Sequence, residues 1–447
     1  MKENKEFYRR MLAIAIPIAL QSLIVSSLNT LDTMMISTLG SETIAGVGLA
    51  NQVFFFFTMI CFGTATGSSV IISQYYGRED YQSLQKVNSF STIIAIMVGL
   101  IFTSIASLIP KQIISLMIDD PLVIEAGARY LRVVSFSYII TGISFVNGVS
   151  LRSTGNPRAP LVGAIVGFLF NAFFNYILIF GKLGFPALGV LGAAIGTIIA
   201  RFAELNVLLY AVTRYDSPLR GPLRPMFQYK SEFIQRFMRI TFPVIINETF
   251  WGLGQVLYSV AYAIVGTEAT AAIQVVVAIQ NLAFVLIRGL SNSCTIIIGN
   301  TIGRGDLDQA YPYGIRFLKM GAIIGSLVGL SLALTPNLSL QLFPNLSPSV
   351  YQLCVTLLRY MGFVFLLKGF NAILVVGVLR GGGDTKYSMY LEMGSVWLVG
   401  VPLAFIGASL LKLPIQWVVI LASMEEVSKV IMGLIRVKSK KWVNEIE

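Results

Sequence analysis

The chain contains no histidine and only three cysteines. The first absence removes most zinc sites, Ser-His-Asp triads and imidazole proton relays together. Cys61, Cys294 and Cys354 are far apart in apolar runs with no CxxC spacing, so they read as small hydrophobic fillers and not as disulfides or metal ligands. Charge is also scarce. Only 12% of the 447 residues are charged, about half the share of a soluble domain. The net charge of +11 is spread among apolar runs and forms no basic domain, which argues against nucleic acid as a partner.

Apolar residues fill the gap. They make up 55% of the chain, and the mean hydropathy is +0.76. A soluble fold of this size could not hide so much apolar surface, so the composition predicts an all-α polytopic membrane protein. Spans of roughly 20 apolar residues are expected at 11–37, 45–76, 88–109, 125–152, 158–181, 187–213, 233–265, 268–302, 313–335, 350–380, 386–410 and 414–436. The charged start, MKENKEFYRR, precedes a run too long for a signal-peptide core and is kept as part of the first helix. Lys111, Lys182 and Lys412 are the only bases in the odd-numbered loops, whereas most of the 33 Lys and Arg fall in the tails and even-numbered loops. That bias predicts that both termini face the cytoplasm.

The chain also repeats itself. At an offset of 226, identical pairs include Phe7/Phe233, Pro17/Pro243, Gly40/Gly266, Glu42/Glu268, Gly63/Gly289 and Asp80/Asp306; LRSTGNPR (151–158) matches LRGGGDTK (379–386) at 228. The expected organisation is therefore an N-lobe (1–213, helices 1–6), a cytoplasmic linker (214–232) and a C-lobe (233–447, helices 7–12). Six helices per repeat put both halves in the same orientation, related by a pseudo-two-fold axis along the membrane normal. That is a transporter architecture.

Ionisable groups inside a bilayer cost roughly 2.5–3.5 kcal/mol each on insertion scales, so they pair, line a cavity or bind an ion. The acids are Asp32, Glu204, Glu248, Glu392, Glu425 and Glu426; the bases are Arg201, Arg288, Lys368 and Lys429. Arg201 with Glu204, and Glu425 and Glu426 with Lys429, have helical spacings suited to structural pairs. Arg288 can snorkel or pair with a neighbouring acid. Lys368 has no local acid and must find one across helices or line the cavity.

Asp32 has no base one turn away on its own helix and shares a face with Asn29, which makes it a place for a proton or Na⁺. Its repeat position is Tyr258. Glu248 lies five residues past Pro243, which can bend helix seven. Its face continues through Trp251 and Gln255, an arrangement that suits an organic cation through charge and cation–π attraction. An ion pair with another helix is the alternative for each acid. Glu392 adds a third acid to the C-lobe. Asn171, Asn175 and Thr197 are neutral donors of the kind Na⁺ accepts, or interhelical hydrogen-bond glue.

These features together resemble the multidrug and toxic compound extrusion (MATE) transporters over residues 7–436. The likeness rests on the P-x14-D-T…LG run of helix one, the GRED and GRGD turns, LRSTGNPR with LRGGGDTK, and GFPALGVLGAAIGTIIAR at 184–201. NETFWGLG at 247–254 is most similar to the Gram-positive bacterial branch and implies a bacterial plasma membrane. The resemblance implies a monomeric secondary antiporter, not an enzyme, with no cofactor. It would expel amphipathic or cationic drugs in exchange for H⁺ or Na⁺, with Asp32 as the coupling acid and Asn171 and Thr197 as its polar partners. Asn175 departs from the members that carry aspartate there. The resemblance also implies a C-lobe cation or substrate site at Glu248, with Trp251, Gln255, Glu392 and Lys368 as its neighbours. A lipid-linked oligosaccharide flippase is the alternative function.

Overall fold

The computed structural model describes residues 2–214, 216–222, 226–343 and 346–446. Residues 215 and 223–225 of the expected linker lie outside them. The spans are α1 (Lys2–Ser37), α2 (Ser41–Gly77), α3 (Tyr81–Leu108), α4 (Pro121–Val134 and Phe136–Ser153), α5 (Arg158–Phe180) and α6 (Val190–Thr213). The second set is α7 (Ser231–Val265), α8 (Thr267–Ala283 and Val285–Gly303), α9 (Leu307–Leu334), α10 (Pro348–Arg380), α11 (Thr385–Leu410) and α12 (Ile415–Ala422 and Met424–Lys438).

Eight of these helices are each long and apolar enough to cross a membrane, and the two bent pairs α4 (51°) and α8 (47°) bring the number to ten among the described residues. α7 and α12 are not among these ten; α12 is two shorter helices, Ile415–Ala422 and Met424–Lys438. Twelve spans were expected, and twelve helical segments occupy those stretches. The chain is a multi-pass membrane protein.

The repeated glycines mark the same turn twice. Gly40 (φ 106°) ends the α1 connection and Gly266 (φ 143°) ends that of α7. An L side chain is strained in this region, so the turn needs glycine in both repeats. The repeated prolines, Pro17 and Pro243, lie inside their long helices.

The chain divides into two compact units, Leu20–Ile245 and Met1–Ala19 with Ile246–Glu447. Residues 1–19 group with the second half of the chain and residues 233–245 with the first. Residues 1–19 pack with α8–α12: Phe7 meets Tyr313 at 4.9 Å and Phe317 at 5.2 Å, and Met11, Ile14 and Ile18 join the same core as Leu290 and Ile297. Residues 233–245 pack with α2 and α3: Gly63 lies against the Ile245 backbone, Gly67 against Thr241, and Phe90 meets Phe237 at 4.9 Å. Small residues permit such close helix approach.

The linker is also tied down. Gln85 of α3 donates to the carbonyls of Pro218 (3.0 Å) and Arg220 (2.6 Å), and Ser89 bonds the Tyr229 hydroxyl at 2.9 Å.

The two loops that the sequence pairs, 151–158 and 379–386, differ in detail. The triple glycine at 381–383 gives room to the fully buried Trp442: a methyl at Gly382 would overlap the indole. Val443 bridges Gly383, and the Asn444 N–H donates to the Gly382 carbonyl at 2.8 Å.

Candidate functional site

In the Leu20–Ile245 unit, α1, α2, α4, α5 and α6 line a cavity of about 480 Å³. Asp32, Asn171, Thr197, Tyr130, Tyr138 and Arg201 are on its wall. The sequence-predicted set is thus brought to one place. Asn175 of α5 donates from Nδ2 to Asp32 Oδ1 at 2.5 Å and to Asn171 Oδ1 at 3.1 Å. Both amides are fully buried, so neither can trade these bonds for water. Thr197 donates to the Ala193 carbonyl at 3.0 Å and meets the Tyr130 hydroxyl. Tyr130 had not been singled out from the sequence. It lies in the YLRVV stretch of α4, whose alternation of buried and exposed positions carries no chemical signature.

Asp32 therefore has neutral hydrogen-bond donors and one remote charge. Arg201 faces it through space but is bound to Glu204 at 2.9 Å, the i,i+3 pair expected from the sequence. A carboxylate whose own bonds are all to neutral groups can gain or lose a proton without breaking an ion pair.

α6 makes this geometry possible through Gly196. A methyl there would overlap the Asn175 amide oxygen. Gly196→Ala is expected to displace Asn175 from Asp32. Overpacking of this kind costs about 1–3 kcal/mol. Thermal melting in detergent should show that loss and gradient-driven efflux should slow; an unchanged melt with unchanged efflux would show that Asn175 has other room.

The other acids are arranged differently. In the Ile246–Glu447 part, Glu248 is not a free carboxylate. Arg380 Nη1 lies 2.5 Å from Glu248 Oε1, and Arg380 Nη2 lies 3.2 Å from Glu392 Oε2. Asn247 donates to the same Glu392 oxygen. Of the expected neighbours of Glu248, Trp251 packs against the buried cluster that contains Tyr258 and Val396, and the Gln255 carbonyl accepts from Ser259. Arg380 is 2% exposed.

The sequence reading missed Arg380, the last residue of the expected span 350–380, which was not counted among the buried bases. Its signal was the LR pair repeated at 151–152 and 379–380. The last turns of α10, Ile373–Arg380, are π-helical, which widens the helix and carries the arginine inward.

A third cluster gathers the remaining groups. Lys429 bridges Glu425 (3.2 Å) and Glu426 (3.5 Å), as spacing predicted. Asn371 donates to Glu426 Oε2 at 2.7 Å, and the Tyr258 hydroxyl donates to Glu425. Lys368 acts on Glu426 across helices through space. Arg288 lies 5.9 Å over the Phe284 ring. Among the described residues there is no group of three or more His, Cys, Asp or Glu placed to hold a metal.

The MatE family model matches residues 17–177 and 233–406, one match in each repeat. The chain belongs to the MatE family. MatE proteins are transporters and not enzymes. A probable multidrug resistance protein NorM of Thermotoga maritima is 26% identical over 451 residues, covering 99% of this chain and 94% of its own. An uncharacterized transporter YisQ of Bacillus subtilis is 26% identical over 394 residues, covering 87% and 85%. Solved MATE structures in the bent and straight conformations superpose with TM-scores of 0.87 and 0.86 at 20% identity, each covering 97% of this chain and 96% of the other. The MATE fold, two lobes of six helices, is thus the fold of this chain.

Proposed function

We propose that this MatE protein is a secondary antiporter of a bacterial plasma membrane, with both termini in the cytoplasm, that exports amphipathic or cationic small molecules in exchange for protons. The observation that carries the reading is Asp32. Its carboxylate stands at a cavity wall with an amide donor and, among the described residues, without an ion-pair partner of its own. Names of relatives such as the T. maritima multidrug resistance protein support the substrate class.

The exchanged ion is read as H⁺ because a buried carboxylate bonded to a neutral amide can take a proton without further ligands. The tyrosines and Phe54 of the cavity suit a flat cationic drug, whose charge the ionised Asp32 attracts. Proton and drug then favour opposite-facing states, and the difference in their affinities drives exchange. A lipid-linked pyrophosphate would need unpaired bases in the cavity; Arg201 on this wall is already bound to Glu204.

The test is ethidium efflux from proteoliposomes driven separately by a pH gradient and a Na⁺ gradient. Efflux with the pH gradient alone is the expected result. Efflux with only the Na⁺ gradient would replace the proton by sodium, and efflux with neither would overturn antiport.

A further inference from the structure

The offset of 226 sets Phe90 of α3 against Arg316 of α9, and Ile93 against Lys319. It also sets Phe233 of α7 against Phe7 of α1. In the first repeat, Phe90 lies 5.8 Å from the Phe233 ring and 4.9 Å from Tyr229 of the linker. In the second, the Arg316 guanidinium lies 5.5 Å over the Phe7 ring and 5.5 Å over that of Tyr313. Arginine thus takes the place of phenylalanine on the same aromatic seat.

What covers the two helices differs. The linker lies on α3, where Gln85 and Ser89 hold Pro218, Arg220 and Tyr229 and are themselves buried. Their repeat mates on α9, Tyr311 and Ile315, are only half-buried. The side chain over Tyr311 is a base, Lys440, with Nζ 5.1 Å from the ring centre. Lys319, one turn past Arg316, is exposed. Among the described residues, none of Arg316, Lys319 and Lys440 is in an ion pair. The nearest acid before Arg316 on α9 is Asp308, eight residues away.

We infer that this stretch of α9 holds the phosphate of an anionic phospholipid. Arg316 is the anchor, in the third turn of α9 and close to the GRGD loop. Two rings fix its guanidinium, so little freedom is lost when the fork meets phosphate oxygens. Its Nη1 is buried and finds no acceptor in the protein, a deficit that an added acceptor relieves.

The acyl chains also have a place. Lys319, Ile323 and Leu327 follow at four-residue steps and share one face of α9. Ile323 is 59% and Leu327 63% exposed. Leu12 and Ile16 of α1, the helix that Phe7 holds against α9, are exposed as well. Bases at the head of an exposed apolar face of a membrane helix match a lipid, with its charge at the interface and its chains in the hydrocarbon. In the first repeat the linker and Phe90 occupy this position, and Ile93 brings no charge. The inference does not depend on which ion is exchanged.

Native mass spectra of the full chain in detergent, titrated with phosphatidylglycerol or phosphatidylcholine, are the test. Wild type should retain the anionic lipid in preference to the zwitterionic one. Arg316→Phe installs the first repeat's residue and keeps a contact with Phe7. Combined with Lys319→Gln, it should weaken phosphatidylglycerol binding about 30-fold, through the loss of two bases at a membrane surface. Lys319→Gln alone changes an exposed side chain and should weaken it about fivefold. That variant carries the test if Arg316→Phe fails to fold. Inorganic phosphate should not displace the lipid, because it makes no use of the apolar face. Equal retention of the two lipids by wild type, wild-type retention by both variants, or displacement by inorganic phosphate overturns the inference.

Discussion

Asp32→Asn is expected to reduce pH-gradient-driven ethidium efflux to the level of protein-free vesicles while leaving the protein folded. The amide has the size of the carboxylate and keeps an oxygen for the Asn175 Nδ2 bond, so packing and hydrogen bonding survive. It cannot carry the proton. Because Asp32 is not part of an ion pair of its own, its neutralisation strands no buried base; Arg201 keeps Glu204. The melting temperature in detergent should therefore change little, consistent with a loss under about 1 kcal/mol. Ethidium should still bind, more weakly, because the attraction of the ionised acid is gone. Undiminished efflux under a pH gradient would remove Asp32 from the coupling step.

The second large effect is expected at Arg380, and it is one of stability. Arg380→Met leaves Glu248 and Glu392 facing one another without their cation. Breaking a buried pair by removing one partner costs about 3–5 kcal/mol, because the remaining charge has no water to replace it. Arg380→Lys should recover little, since one ammonium does not span two carboxylates as a guanidinium fork does. The combination of Arg380→Met with Glu248→Gln and Glu392→Gln removes both stranded charges and should restore much of the melting temperature. Detergent melts of this series decide the matter: a wild-type melt for Arg380→Met would show that the triad does not hold the second part together. This prediction also separates Glu248 from Asp32. The first acid is bound to a built-in cation, and the second has no ion pair among the described residues.

Several features were legible in the residues alone, each for a local reason. The spans follow from apolar runs, the repeat from identical residues at a fixed offset, and the helix-one glycine from its recurrence at 266. The pairs Arg201–Glu204 and Glu425/Glu426–Lys429 follow from helical spacing, since residues three and four apart share a face. Asn171, Asn175 and Thr197 were readable as neutral donors, and the family resemblance joined Asn171 and Thr197 to Asp32; the fold sets these three on one cavity wall and brings the Asn175 amide to Asp32.

Long-range partners were not legible. Glu248 and Arg380 are 132 positions apart, and Tyr258 and Glu425 are 167 apart. No local period records such a meeting. Lys368 illustrates the limit well: its lack of a neighbour in sequence was readable, but Glu426 as its acid was not. The exchange of the first turns of α1 and α7 between units has the same origin. It is decided by which small residues, Gly289 or Gly63, lie opposite a passing helix.

The sequence by itself determined a duplicated, many-helix membrane protein with a few ionisable groups where they are costly, because hydropathy, spacing and identity are one-dimensional properties. Only the tertiary structure decided which of those groups are free to act. A buried charge is defined by what faces it, and in helices packed across a membrane what faces it comes from far along the chain: two amides for Asp32, a guanidinium for Glu248, and a phenol for Glu425.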